Sequence, residues 1–400
     1  MLASDVRSSH SHVRSLAWIL ALALGLRLYV AAISYGTNDI ETWRMFARLA
    51  LQNGVSRVYQ LHPLFNHPPL MGWYSAGVLA ISNALNVDFT FVFKLVPIAA
   101  DTLAVWLVYR IGRPATPWLL LFAINPADVL VSGFHGNTDC LCAMFCLASV
   151  YFGDRERPAL SGLSLAAALN VKLIPVMLIV PLACSFRGRG IVRFVLALGV
   201  GVIPFIPTVL VAWEAFRRNA LQYNSSNAPW GLGLISSALD GWLLRYQARF
   251  GELISGLGKP LILGGSALLG SWQLRFRTFS RVELAALATS WFLVCSPGFG
   301  AQYIVYPAAF LALAPRTRIG FHYMYLAGLF AFLIYLSYWT GKWPLYASFE
   351  KHSYDLRTML IGFVTWLTLV SFVVTTLRRG FIRARWPAVH REQSLLGQRL

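Results

Sequence analysis

Apolar runs near 18 residues recur along almost the whole chain, separated by short polar segments. A helix needs about 20 predominantly apolar residues to cross the hydrocarbon core of a bilayer. The pattern predicts an all-α polytopic membrane protein: one bundle of about ten to twelve transmembrane helices by that span rule. The first run, LAWILALALGL, follows Arg7 and Arg14 and continues past Arg27 to Ile33. Its basic start resembles a signal peptide, but its length and the many later spans predict an uncleaved first helix. One stretch has a different period. From Asp39 to Gln52, Ile40, Trp43, Phe46, Ala47 and Ala50 recur at helical spacing between polar residues. That predicts an amphipathic helix lying in the interface after helix one, capped by Thr37 or Asn38.

Two intervals resist a simple count of crossings. Residues 69–85 and 89–109 are both apolar, although the charges flanking them require an odd number of passes, so one of the two lies in the interface or re-enters. The run LSGLSLAAALNVKLIPVMLIVPLACSF is about 27 residues, too short for two full spans, and Asn170, Lys172 and Pro175 interrupt it. It predicts two short helices in a hairpin with Lys172 near the turn, facing a cavity, because charge and irregular backbone at membrane depth are tolerated only there. A broken single helix is the alternative.

Composition agrees with the pattern. Hydrophobic residues make up 57% of the 400 and charged residues 12%, against about 25% charged in soluble domains. The net charge of +18 does not point to nucleic acid, because Lys and Arg are spread among short segments between the apolar runs. Those segments (Arg7 and Arg14, Arg110–Arg113, Arg155–Arg157, Arg187–Arg193, Arg275–Arg281, Arg316–Arg318, and the tail from Arg378) mark the cytoplasmic side, with the N-terminus there. The tail reads as an anchor to anionic lipid. Cys140, Cys142, Cys146, Cys184 and Cys295 lie in or beside apolar runs and read as small core side chains.

The polar chemistry gathers on the opposite side, in segments 36–68, 133–137, 214–257, 297–300 and 339–356. There stand Asp39 and Glu41, FNHPPL with His67, HGNTD with His135, Asn137 and Asp139, NSSNAPW at 224–230, SPGFGAQY with Gln302 and Tyr303, and KWPLY and EKHSYD at 342–355. Acidic residues also favour a helix N-terminus for purely structural reasons, so the acidic pair alone decides little. The convergence of several such groups on one membrane side carries more.

In the order of these pieces the chain resembles the GT-C superfamily of membrane glycosyltransferases, which use polyprenyl-phosphate-linked sugars. The resemblance rests on the acidic pair Asp39 and Glu41 after helix one; Pro68, Pro69 and Leu70 at a helix entry; Lys94, Leu95, Ala100 and Asp101 in the next helix; Asn125-Pro126 followed by His135 to Asp139; Lys172 and Pro175; and Gln302 and Tyr303. It is similar to the mannosyl- and glucosyltransferases that build lipid-linked and glycosylphosphatidylinositol glycans, and to their bacterial relatives.

The resemblance implies one domain over residues 1–400, with a catalytic module at 15–315, C-terminal helices at 316–377 and the tail at 378–400. It implies an inverting transfer of a hexose, mannose first, from a polyprenyl-phosphate donor to a hydroxyl on a lipid or glycan acceptor. The base that takes the acceptor proton would be Asp39, with Glu41 as second choice or helper. Lys172 would face the leaving phosphate, with Arg44 and His67 behind it. His135, Asn137, Asp139, Gln302 and Tyr303 would bind sugar or donor. Asp39 and Glu41 would be the pair to hold Mg²⁺ or Mn²⁺ if a metal takes part; metal dependence stays open. Asp101 has two readings, a site role or a buried partner for Lys94 or Arg110, and Arg27 either lines the cavity or snorkels outward. The placement expected is a bacterial inner membrane with the site facing the periplasm. Intramembrane Lys94, Asp101 and Lys172 would also suit a transporter or flippase of lipid-linked or anionic solutes. A polymerase or ligase using the same donors is a third class.

Overall fold

A computed structural model describes residues 2–223, 230–242, 247–314, 318–349 and 355–386. The segment NSSNAPW at 224–230, except Trp230, and most of EKHSYD lie outside the described residues, as does the tail beyond residue 386.

The first apolar run forms α1 (Leu2–Ile33), which passes into a short strand β1 (Ser34–Thr37) and then the amphipathic α2 (Asn38–Asn53). Thr37 caps α2, accepting the Asp39 N–H at 3.3 Å. The face of α2 that is buried consists of Ile40, Trp43, Phe46, Ala47 and Ala50, as its periodicity predicts. There follow α3 (Val55–Leu61), α4 (Pro69–Leu85), α5 (Phe89–Gly112), α6 (Thr116–Ala123) and α7 (Pro126–Val129). A π-helical turn, Leu130–His135, leads to α8 (Asp139–Asp154), α9 (Pro158–Val171) and α10 (Val176–Ala183). The remainder comprises α11 (Arg189–Gly201), α12 (Ile206–Phe216), α13 (Leu232–Trp242), α14 (Gln247–Phe276), α15 (Arg281–Cys295), α16 (Val305–Ala312), α17 (Arg318–Ser337), β2 (Leu345–Ala347) and α18 (Leu356–Arg385). Among the described residues the sole sheet is β1 paired in parallel with β2.

The protein is an all-α, multi-pass membrane protein. Among the described residues six helical stretches are long and apolar enough to cross a membrane, and Pro158–Val171 and Ala301–Ala312 are shorter apolar helices. Large apolar side chains such as Trp18, Leu196, Leu210, Leu268 and Phe381 project outward from the bundle, as surfaces facing hydrocarbon must.

Two polar pairs give the direction of the first spans. Lys94 donates to the Ser34 carbonyl at 2.8 Å, and Arg27 Nε meets Asp101 Oδ2 at 2.7 Å. Both pairs step seven residues along each chain in opposite senses, so α1 and α5 are antiparallel, with ~10 Å between the pairs at 1.5 Å per residue. The end carrying Ser34 and Lys94 is termed the site end.

The first odd interval is resolved by α4. Its start packs against Val55, just past the end of α2, and the loop beyond its other end places Asp88 3.0 Å from Arg44 in the first half of α2. Helix α4 therefore runs alongside the amphipathic α2, antiparallel to it, and of the two it is α5 that is long and apolar enough to cross a membrane. The second interval is a hairpin: α9 rises to Lys172, whose backbone is extended, and α10 descends. At the far end, Arg281 pairs with Glu156 at 2.9 Å and Asp154 at 3.7 Å, and Arg277 donates to the carbonyls of Ser185 and Phe186. Arg383 pairs there with Glu283 at 3.1 Å. Basic segments far apart in sequence thus meet at one end of the bundle.

The interior places two residues differently from the sequence expectation. Arg27 neither lines the cavity nor snorkels. It is fully buried, bonded to Asp101 and to the carbonyls of Ala23 and Ala123. Asp101 is accordingly the partner of Arg27 and not of Lys94 or Arg110, and it also accepts from Ser132 at 2.8 Å. The antiparallel register of α1 and α5 decides this pairing. Arg27→Met should strand a buried carboxylate and destabilise the protein by about 3–5 kcal/mol. The double change Arg27→Met with Asp101→Leu should recover most of that loss, as read from thermal unfolding of the detergent-purified protein.

Candidate functional site

At the site end a cavity of about 380 Å³ opens between the first turns of α2, the loop before α4, the turn after Lys172 and the segment before α16. Several independent local structures bring its walls together. The Thr37 cap that starts α2 also donates its hydroxyl to the His135 carbonyl at 2.9 Å, so the helix start is tied to the π-helical turn. Such turns displace one residue from the helical register and recur at functional sites. Gly136 follows at φ +77°, and a Cβ there would strike the Ile40 side chain. Glycine thus lets the His135–Asn137 turn pack directly onto α2. The loop from His62 to Pro68 is held by Tyr59, whose hydroxyl donates to the His67 carbonyl at 2.5 Å.

Asp39 lies at the centre. Its Oδ2 lies 2.9 Å from His135 Nε2 and accepts from Asn137 Nδ2 at 3.2 Å, and its side chain is 37% exposed to the cavity. Both bonds go to Oδ2, which leaves Oδ1 for an incoming hydroxyl. Burial works to raise the carboxyl's pKa, but the hydrogen bond from His135, and then the charge of Lys172, outweigh it and hold it below the usual carboxylate value. Asp39 is therefore ionised at neutral pH.

Lys172 forms the opposite pole. Its ammonium meets Asp139 Oδ2 at 2.7 Å and Oδ1 at 2.8 Å, and lies 4.9 Å from the centre of the Tyr303 ring. Asp139 is fully buried and takes a third bond from the Tyr306 hydroxyl at 2.8 Å. His67 lines the cavity, but burial and then the nearby Lys172 push its pKa down to about 3, so the ring is neutral at physiological pH. Lys172 is the one cationic side chain among the described residues lining this cavity.

Asp39, His67, Asn137, Lys172, Gln302 and Tyr303 all line the cavity, as the sequence motifs suggest. His135 and Asp139 stand behind it: each is fully buried and touches a cavity residue rather than the space itself. Two candidates fall outside. Glu41 is exposed and is not a cavity residue; residues two apart on a helix are rotated by about 200° and cannot share a face. Arg44 is engaged by Asp88 and lies over the Phe89 ring at 5.3 Å, away from the cavity. Asp39 and Glu41 therefore do not converge as a two-carboxylate cation site. Among the described residues no cluster of three His, Cys, Asp or Glu side chains assembles to hold a metal. Sequence reasoning missed Thr42 and Tyr223 on the walls, and Tyr306 and Tyr335 behind them. The two buried tyrosines sit inside apolar helices and give no local signal.

A second cavity, also about 380 Å³, adjoins the first and shares Leu173, Ile174, Ala220, Tyr223 and Tyr303 with it. Its walls are mainly apolar, including Leu169, Val176, Ile262, Leu263 and Phe292, with Lys259 beside them.

A carboxylate held ionised, facing a cavity with a buried lysine and continuing into an apolar groove, is an arrangement that can take a proton beside a lipid-borne anion. Comparison with known families names the class of reaction. Residues 69–297, more than half of the chain, match glycosyltransferase family 87. The match bears out the resemblance to membrane glycosyltransferases found in the sequence motifs, although Asp39 itself precedes the matched region. The chain belongs to glycosyltransferase family 87.

Proposed function

We propose that the protein is an inverting GT-C-type transferase. It moves a hexose, mannose first, from a polyprenyl-phosphate donor to a hydroxyl of a lipid or glycan acceptor. The observation that carries this reading is the continuity of a polar cavity holding Asp39 and Lys172 with an apolar groove. A donor with a charged head and a long hydrocarbon tail matches both parts at once. The acceptor oxygen attacks the anomeric carbon as its proton passes to Asp39, and the bond from that carbon to the phosphate oxygen breaks on the opposite face. One displacement inverts the configuration. Phosphate is a good leaving group, so a base matters more than an acid. The departing lipid phosphate stays beside Lys172, whose charge is in place before reaction.

The charge balance supports a monophosphate. Lys172 is already paired with Asp139, His67 is neutral, and Arg44 is turned away. Such a site suits the single charge of a sugar phosphodiester better than a nucleotide diphosphate. The base role rests on Asp39, since Glu41 lies outside the cavity. The basic end of the bundle would face the cytoplasm by the positive-inside rule, which supports a site on the outer face, the periplasmic one if the membrane is a bacterial inner membrane.

The test is transfer in membranes containing the protein. Radiolabelled polyprenyl-phosphate mannose, glucose, galactose and arabinose would be compared with the corresponding nucleotide sugars, using total lipid and glycan acceptors. Label should move from one lipid-linked donor and from no nucleotide sugar. Transfer from a nucleotide sugar alone would overturn the donor assignment. Label crossing the membrane without transfer would favour the transporter reading instead.

A further inference from the structure

Behind Asp39 the hydrogen bonding continues. His135 is fully buried; its Nε2 meets Asp39 Oδ2 at 2.9 Å and its Nδ1 meets the Tyr335 hydroxyl at 2.6 Å. Tyr335 comes from α17, 200 residues away in sequence. The Phe349 ring packs 5.5 Å from His135 and closes the back of the pair. Nothing in the motif that contains His135 foretells this partner.

We propose that Tyr335 is a positioning residue for the base, fixing the tautomer of His135 so that Nε2 always presents a hydrogen to Asp39. The inference rests on Asp39 being the base, as proposed above. A neutral imidazole has one donor nitrogen and one acceptor nitrogen. With the Tyr335 hydroxyl donating to Nδ1, the proton must sit on Nε2 and point at the carboxylate. A donated hydrogen favours the ionised carboxylate, so Asp39 meets the acceptor hydroxyl ready to take its proton. The imidazole itself neither gains nor loses a proton in this arrangement; the proton from the acceptor rests on Asp39 and leaves through the cavity.

Without Tyr335, the buried Nδ1 loses its donor. The tautomer with hydrogen on Nδ1 then becomes accessible, and a bare Nε2 faces Asp39. That lone pair repels a carboxylate and accepts from a carboxylic acid, so protonated Asp39 is favoured. The other titratable groups around the pair are unchanged by the substitution: Lys172 and the neutral His67 face Asp39 from the cavity side, and Asp139 and Cys140 lie toward Tyr335.

The experiment compares Tyr335→Phe with wild type by the pH profile of kcat for sugar transfer. The acid limb should move up by about one pH unit, the size of shift that one lost hydrogen bond to a carboxylate produces. Activity should recover toward wild type at alkaline pH, with KM for the donor unchanged. His135→Gln, whose amide can donate to Asp39 and accept from Tyr335, should keep the wild-type limb. Adding Tyr335→Phe to His135→Gln should not move the limb further. A uniform loss at every pH, or an unmoved limb, would overturn the proposal and leave Tyr335 a packing residue.

A second readout does not depend on activity. In protein labelled with ¹⁵N-histidine, the His135 ring signals, assigned by their loss in His135→Gln, should report protonated Nε2 in wild type and a mixture in Tyr335→Phe. The same tautomer in both proteins would overturn the proposal. Transfer that survives Asp39→Asn would instead dismiss the base assignment, while the ring signals still decide the role of Tyr335.

Discussion

Asp39→Asn should lower kcat for sugar transfer by about 10²–10⁴, the range lost with a general base, while KM for the donor changes little. Asparagine has nearly the same shape. His135 can still donate to its amide oxygen, and the Thr37 cap uses the backbone N–H of this residue and not its side chain. The fold should therefore survive, and the lost function is the proton acceptor itself. In wild type the carboxyl is held below its usual value. A carboxylate with a depressed pKa is ionised above that value, so activity should be flat through neutral pH and fall only as the pH drops into the acid range. Glu41→Gln is the matched control. Exposed and outside the cavity, it should leave transfer within about two-fold, as a surface change of at most about 0.5 kcal/mol would. Equal losses in the two variants would refute the placement of the base on the inward face of α2.

Lys172→Met should have the second largest effect, and it has two separable parts. The first is structural. Asp139 is fully buried, and two of its three side-chain hydrogen bonds come from Lys172. Removing the cation leaves a buried carboxylate with only Tyr306, at a cost of about 3–5 kcal/mol. The second is functional: loss of the cation beside the leaving phosphate should lower kcat by about 10²–10³, as loss of one pre-placed stabilising donor does. Lys172→Met combined with Asp139→Asn separates them, since the neutral amide needs no counter-charge and can still accept from Tyr306. Thermal unfolding of this double variant should return close to wild type while transfer stays low. Restored transfer in the double variant would show that Lys172 serves only the fold.

Much of the architecture could be read from the chain because periodicity and charge act locally. The apolar spacing of Ile40, Trp43, Phe46, Ala47 and Ala50 names the buried face of α2, since any helix brings those positions to one side. A 27-residue apolar run interrupted by Asn170, Lys172 and Pro175 cannot hold two full spans; a hairpin and a broken single helix both fit that length, and the structure shows the hairpin at Lys172. The alternation of basic and polar segments sorted the loops into two ends, and the site residues Asp39, His67, Asn137, Lys172, Gln302 and Tyr303 meet at one of them.

Other features depended on register and rotation between elements, which no local pattern encodes. Arg27 pairs with Asp101 because α1 and α5 are antiparallel with one particular offset. Helix α4 is as apolar as a span, yet it packs antiparallel along α2, with its start against Val55 and the loop beyond its end tied to Arg44. His135 and Asp139 belong to the right motif, but the π-helical turn and the first turn of α8 bury both side chains behind the wall. Glu41 and Arg44 share a helix with Asp39, and its rotation carries them away from the cavity. Tyr335 and Tyr306 come from distant helices to complete the two carboxylate sites.

The sequence alone therefore determined the membrane class, the amphipathic face of α2, the break at Lys172 and the end of the bundle where chemistry gathers, because each follows from spacing along one helix or from the cost of charge in hydrocarbon. The tertiary structure decided which charges pair, which of two carboxylates faces the cavity and which tyrosines stand behind it, because those depend on how separate helices are turned and slid against one another.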